Sequence, residues 1–142
     1  MVGWLMLNPS TADEEDNDPT VERCEVRARQ WGYDGVMVAN IFALRSTNPL
    51  VLKSFVGDPI GGLENDAYIL NMARECFPVI CAWGTHGTLF GRGAEVLKML
   101  RENKVDPWAL RANKDGSPEH PLYIGYDVMP RPLEELCRLN AK

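Results

Sequence analysis

The sequence predicts an α/β fold built on a mainly parallel sheet, and three observations carry that expectation. Four short apolar runs, at residues 2–7, 35–42, 78–83 and 107–110, are nearly free of polar residues, the pattern of strands covered on both faces. Segments of helical spacing lie between them, so strand and helix alternate along the chain. The length of 142 residues, with 45% hydrophobic and 25% charged residues, suits one domain that buries its core without a disulfide or metal. The expectation is a single α/β domain over residues 1–142, a three-layer α/β/α sandwich with about four mainly parallel strands. The first strand should lie between the second and the third, since its run lacks any polar residue.

The elements follow in order. Residues 2–7 read as a buried strand that runs into the turn Asn8-Pro9-Ser10. Residues 11–18 are acidic and loop-like. Asp18-Pro19 then supplies an N-cap with proline at the first helical position. Val21, Cys24, Ala28 and Trp31 follow at helical spacing, and Gly32 closes the helix. Residues 35–42 give the second strand. Asn48-Pro49 opens a short helical turn, and Asp58-Pro59 with Gly61-Gly62 punctuates the chain before a helix whose apolar face is read as Leu63, Ala67, Leu70 and Ala73. Residues 78–83 form the third strand and 84–93 a glycine-rich loop. Ala94, Leu97 and Leu100 mark the next helix, 107–110 a fourth strand, 113–121 a polar loop and 132–139 a terminal helix.

Composition excludes several classes. No apolar run approaches the roughly 20 residues of a membrane-spanning helix, and the start lacks the basic region of a signal peptide, so no membrane role is expected. Net charge is −5, with eleven acidic against five basic residues in 1–71 and nine against ten in 72–142. Strong duplex-DNA binding is therefore not expected, because neutralising phosphates drives such affinity. The four cysteines form no Cys-x-x-Cys pair, and only two histidines exist. Cys24 and Cys137 fall on apolar helical faces and Cys81 within a strand, which reads as buried, reduced thiols in a cytoplasmic protein rather than a zinc site.

In parallel α/β sheets ligands bind beyond the carboxyl ends of the strands. Those ends carry the polar residues here. Asn8 can hold a water or a substrate amide, or it can close an Asx turn on local backbone. Asn40 interrupts an apolar strand, so its amide either braces a loop or faces a ligand; an amide at a strand end suits the donor–acceptor edge of a nucleobase. The loop 84–93 can cradle a phosphate with backbone N–H groups and Arg92, but it has neither a P-loop nor a dinucleotide fingerprint. His86 reads as a surface residue. His120, between Glu119 and Pro121, can donate to a developing negative charge or cap a backbone group. Asp13, Glu14, Glu15, Asp16 and Asp18 read as a solvated acidic loop or as ligands for a hard cation.

Six segments carry a resemblance: Met6-Leu7-Asn8-Pro9-Ser10-Thr11-Ala12-Asp13, Asp18-Pro19-Thr20, Arg29-Gln30-Trp31-Gly32, Asn40-Ile41-Phe42-Ala43, Ala82-Trp83-Gly84, and Lys114 through the Glu119-His120-Pro121 tract to Tyr123. Together they resemble the bacterial and phage family known as domain of unknown function 1643, over nearly the whole chain. Members of that family usually carry a further stretch before the first strand, which implies a shortened start here. A more distant similarity is to the uracil-DNA glycosylase superfamily. Asn8-Pro9-Ser10 resembles its first motif, in which the residue matching Asn8 positions the attacking water. Residues 35–40 resemble the strand whose terminal Asn reads the base edge. Ala82-Trp83-Gly84 resembles its third-strand signature. His120-Pro121 resembles the motif whose His stabilises the departing base anion. Position 8 is not a carboxylate, and Leu122 stands where that motif usually has Ser.

The resemblance implies a uracil-DNA-glycosylase-like fold and a glycosylase-like hydrolase, or a binder, of a nucleobase-containing ligand: a nucleotide, a nucleobase or a single-stranded nucleic acid. Asn8 and His120 would be catalytic. Ser10, Asn40, Arg45, Trp83, Gly84, Arg92, Lys114 and Ser117 would contact the ligand, Arg45, Arg92 and Lys114 through phosphate. No metal or cofactor is expected. The alternatives are a non-catalytic nucleotide-binding module and a metal-dependent hydrolase using the acidic loop 13–18.

Overall fold

The computed structural model describes residues 1–8, 19–44 and 57–140. Ser10, Arg45, the acidic loop 13–18 and the helical turn expected at Asn48-Pro49 lie outside the described residues. The fold is α/β, with five strands and four helices among those residues: β1 (Val2–Met6), α1 (Pro19–Gln30), β2 (Val36–Asn40), α2 (Gly62–Glu75), β3 (Val79–Cys81), α3 (Arg92–Glu102), β4 (Pro107–Ala109), β5 (Arg131–Pro132) and α4 (Leu133–Asn140). The sheet order is β2-β1-β3-β4-β5. β1 runs parallel to β2 and to β3, and β3 parallel to β4. The first strand thus lies between the second and the third, and all five of its residues are buried.

β1 divides the core by strand alternation. Val2, Trp4 and Met6 join Cys24 and Ala28 of α1, with Ile80 and Ala82. Leu5 and Leu7 join Ile69, Met72 and Ala73 of α2 and Val96 and Leu100 of α3. Trp31, just past the end of α1, stacks on Trp4 with ring centroids 6.1 Å apart. Gly32 closes α1 with a φ of 85°, and Tyr33 N–H returns to Ala28 O, as a glycine-terminated helix requires. Gly3 lets α2 approach β1, since a Cβ there would stand 2.6 Å from Met72 Sδ.

Three features differ from the expectation. The buried face of α2 is Ile69, Met72 and Ala73, not the stripe from Leu63; Leu63 is 85% exposed, and Ala67 is exposed as well. Asn65 and Asp66 take the inward positions one turn before Ile69, so the apolar residues alone point to the wrong side. The loop after β3 contains 3-10 turns over Thr85–Gly91, kinked at Leu89 and Phe90. A fifth strand, β5, pairs antiparallel with β4, Trp108 facing Pro132 and Ala109 facing Arg131. Two residues carry no period, and proline is tolerated there because an edge strand needs few donors.

All four cysteines are free; Cys24 and Cys81 are buried, Cys76 and Cys137 half-buried. Burial pushes the Cys81 thiol far above its ordinary range. Among the described residues no helix is long and apolar enough to cross a membrane.

Candidate site at the carboxyl edge of the sheet

Beyond β1 and β2 the two chains stay paired for one more step. Ile41 N–H donates to Met6 O and Phe42 N–H to Leu7 O, each at 2.9 Å. Asn8 follows at once, half-buried, and its Nδ2 donates to Leu44 O at 3.1 Å. That bond orients the amide and makes Oδ1 its acceptor atom. Asn40 ends β2 in register with Met6. It is half-buried, and its side-chain amide makes no hydrogen bond within the described residues.

The Asn40 backbone is held from below. Asn65 Nδ2 donates to Asn40 O at 2.9 Å and to Ile60 O at 2.9 Å. Arg92 Nε donates to Ile41 O at 2.7 Å, while its two terminal nitrogens meet Asp66 at 2.7 Å and Glu95 at 2.5 Å. The Arg92 side chain has 0% exposure. Every nitrogen of its fork is thus spent on bracing the segment after β2 against α2. The phosphate contact expected of it has no exposed guanidinium to act through in this conformation.

The glycine-rich loop has a similar explanation. Trp83 is 3% exposed, and its indole lies against Gly87 and Gly93. A Cβ on Gly87 would overlap the indole and stand 2.6 Å from Nε1; one on Gly93 would stand 2.9 Å from Nε1. These glycines are there to admit a tryptophan. Trp83 belongs to the core and forms a floor beneath the edge rather than a surface offered to a ligand. His86 is exposed, as expected.

A hairpin brings the last segment to the same edge. After β4 the chain turns at 113–117, with Ala112 bridging Pro118 and Gly116 at a φ of 85°. Asp115 Oδ1 accepts from Ser117 N–H at 2.9 Å and from the Ser117 hydroxyl at 2.5 Å, and Asn113 Nδ2 donates to the same hydroxyl at 3.1 Å. These bonds from Ser117 hold the Asp115 carboxyl below its usual value. Ser117 is therefore a turn residue, and Lys114 stands exposed in the same turn. The returning chain then docks on the end of β3: Gly84 N–H donates to Pro118 O at 2.8 Å, and a Cβ on Gly84 would lie 3.8 Å from His120 Cβ.

His120 caps the 3-10 turn Pro121–Tyr123, its Nδ1 accepting from Leu122 N–H at 3.2 Å. A backbone N–H only donates, so Nδ1 carries no proton. In the neutral ring the proton sits on Nε2. Two arginines of α1, neither singled out from the sequence, hold this segment. Arg23 reaches Pro121 O at 3.4 Å and Ile124 O at 2.5 Å. Arg27 reaches Ile124 O at 2.7 Å, Gly125 O at 3.0 Å and Val128 O at 3.2 Å. Tyr126 lies under both guanidinium groups, 4.4 and 5.2 Å from its ring centre. Arg27 has 0% exposure; burial, and then the neighbouring Arg23, lower its pKa from the ordinary arginine value. The signal for Arg27 was its place beside Cys24 and Ala28 on the apolar side of α1, where a charged residue needs partners.

Asn8, Asn40, Trp83, Gly84 and His120 thus all stand at one end of the sheet, Lys114 and Ser117 in the adjoining turn, and Arg92 beneath. Among the described residues no group of three or more His, Cys, Asp or Glu could hold a metal ion. Comparison with curated proteins and with solved structures finds no match. The family model described as Protein of unknown function (DUF1643) matches residues 1–122, a span that contains Asn8, Asn40, Trp83 and His120, and the chain belongs to that family.

Proposed function

We propose that the carboxyl edge of the sheet binds a nucleobase-containing ligand, whether free base, nucleotide or single-stranded nucleic acid, in a cleft shared by Asn8, Asn40 and His120. The observation that carries this reading is a pair of polar groups at one end of the sheet, Asn40 at the end of β2 and His120 on the loop docked at the end of β3. His120 has its proton assigned to Nε2 by the Leu122 N–H, on a loop clamped by Arg23 and Arg27. Asn40 holds a half-buried amide with a donor and an acceptor. A base edge offers the complementary pattern, and an Nε2–H is a suitable donor to a departing base anion.

In the hydrolytic form of the proposal Asn8 orients water through Oδ1 and His120 stabilises the leaving base; Ser10, Arg45 and Lys114 add ligand contacts. The identity of residue 8 favours the second reading, a binding module without turnover: an amide can orient a water but takes no proton from it. The uracil-DNA-glycosylase-like three-layer arrangement and a cytoplasmic location belong to this same proposal, as does the weak affinity for duplex DNA.

A thermal-shift panel of free bases, nucleosides and nucleotides tests the binding claim. A ligand present at 100 times its Kd raises stability by about 2.7 kcal/mol. Base release from uracil-containing single-stranded DNA tests the chemistry. If it occurs, His120→Ala should lower the rate by about 10²- to 10³-fold, more than it weakens binding. Binding without release selects the binding module. No shift with any member of the panel rejects both.

A further inference from the structure

The 3-10 segment Thr85–Gly91 follows β3 at the carboxyl end of the sheet. It leaves Gly84 beside His120 and ends at Arg92, whose guanidinium grips Ile41 O one residue past Asn40. Both ends of its kink are pinned. Leu89 packs against the core, and Arg92 N–H donates to Gly87 O and Leu89 O. Between these anchors Phe90 takes a φ of 56° and a ψ of 19°, a left-handed conformation uncommon for a bulky residue, and it remains 61% exposed. Packing does not account for it, because the ring is held out of the core. Nor does the turn need phenylalanine, since glycine or asparagine adopts that conformation at lower cost. An aromatic ring held in solvent on a backbone of this conformation costs stability.

We infer that Phe90 is the stacking platform for the nucleobase of the ligand, its ring meeting the face of a base at the rim between His120 and Asn40. This rests on the nucleobase reading of the edge and adds to it the contact that recognises a π-face rather than a base edge. Stacking of this kind tolerates every base, so Phe90 contributes affinity while Asn40 contributes selection. The site takes an unpaired base, because a base inside a duplex has no free face to offer.

The experiment titrates the full chain with ten-residue oligomers of deoxythymidine and of deoxyadenosine, and with the corresponding mononucleotides. Wild type, Phe90→Ala, Phe90→Gly, Phe90→Trp and Phe77→Ala are compared; Phe77, 63% exposed just before β3, is an aromatic at the opposite end of the sheet. Phe90→Ala and Phe90→Gly should bind about 5- to 150-fold more weakly, Phe90→Trp as tightly as wild type, and Phe77→Ala unchanged. Phe90→Gly should also melt at or above the wild-type temperature, so its loss of binding is not a loss of folding. Mononucleotides bound as tightly as oligomers identify a free nucleotide as the ligand; tighter oligomers identify a single strand. Wild-type affinity in Phe90→Ala, or a Phe90→Trp variant as weak as Phe90→Ala, overturns the inference and leaves the nucleobase reading standing. A wild type that binds none of the four probes overturns both.

Discussion

Replacing Arg92 by methionine tests whether that residue is a brace or a ligand contact. Methionine keeps much of the apolar stem and removes the fork. What remains is a buried carbonyl, Ile41 O, without the donor it had at 2.7 Å and with only the long bond from Asn65 Nδ2 at 3.4 Å, and the two carboxylates of Asp66 and Glu95 without their cation. An unsatisfied buried acceptor costs about 1–3 kcal/mol. The Asp66 and Glu95 side chains are 26% and 60% exposed, so solvent screens their loss, and they add no more than about 1 kcal/mol together. Methionine cannot offset these terms, because the partners left behind are still polar; swapping a buried ion for a hydrophobe is neutral only when the whole set is replaced. The expected cost is about 1–4 kcal/mol by urea denaturation, without any ligand present. Arg92→Lys should recover only part of it, since one ammonium cannot reproduce the three-way fork. A methionine variant within about 0.5 kcal/mol of wild type would refute the brace and return Arg92 to the expected phosphate contact.

Three further predictions follow from the same geometry. Gly87→Ala places a methyl group inside the Trp83 indole and should cost about 3 kcal/mol or more, read by denaturation with tryptophan fluorescence; an unchanged midpoint contradicts the glycine argument. Arg27→Met strips donors from the carbonyls of residues 124, 125 and 128 and should lower stability by about 2–4 kcal/mol. It should also speed amide exchange at Leu122, and unchanged exchange there would show that the clamp does not support His120. Asp115 has its folded pKa depressed by Ser117, so its contribution is full above the ordinary aspartate range and is lost as pH falls through the depressed value. The carboxyl is exposed, so the effect is local: protection of the Ser117 amide should fall in acid for wild type and stay flat with pH for Asp115→Asn, whose Oδ1 still accepts but does not titrate, and a pH-independent wild type would contradict it.

The parts of the fold legible in the sequence were those governed by a single period. β1, β3 and the place of β1 between its neighbours follow from unbroken apolar runs, because a strand covered on both faces has no room for a polar side chain. α1 follows from Pro19, its apolar spacing and Gly32. The helix after it misled for a physical reason: Asn65 and Asp66 point inward to satisfy backbone and Arg92, so polarity no longer marks the exposed side. Residues that bond far across the chain leave no local mark. Arg23 and Arg27 act on carbonyls about 100 positions away, and the purpose of Gly87 and Gly93 is visible only beside Trp83. Asn8, Asn40 and His120 could be named because strand ends gather at one edge of a parallel sheet, a rule of topology rather than of contact.

A ligand should bind at the carboxyl edge of the sheet and nowhere else. Backbone amide shift mapping of the ¹⁵N-labelled protein, during titration with the base or nucleotide that gives the largest thermal shift, tests it most directly. Perturbations should gather at Asn8, Asn40 to Phe42, Gly84 and His120, with the amino-terminal end of the sheet around Met1 and Phe77 unmoved. Perturbations confined to that opposite end would contradict it, as would a titration in which no amide moves.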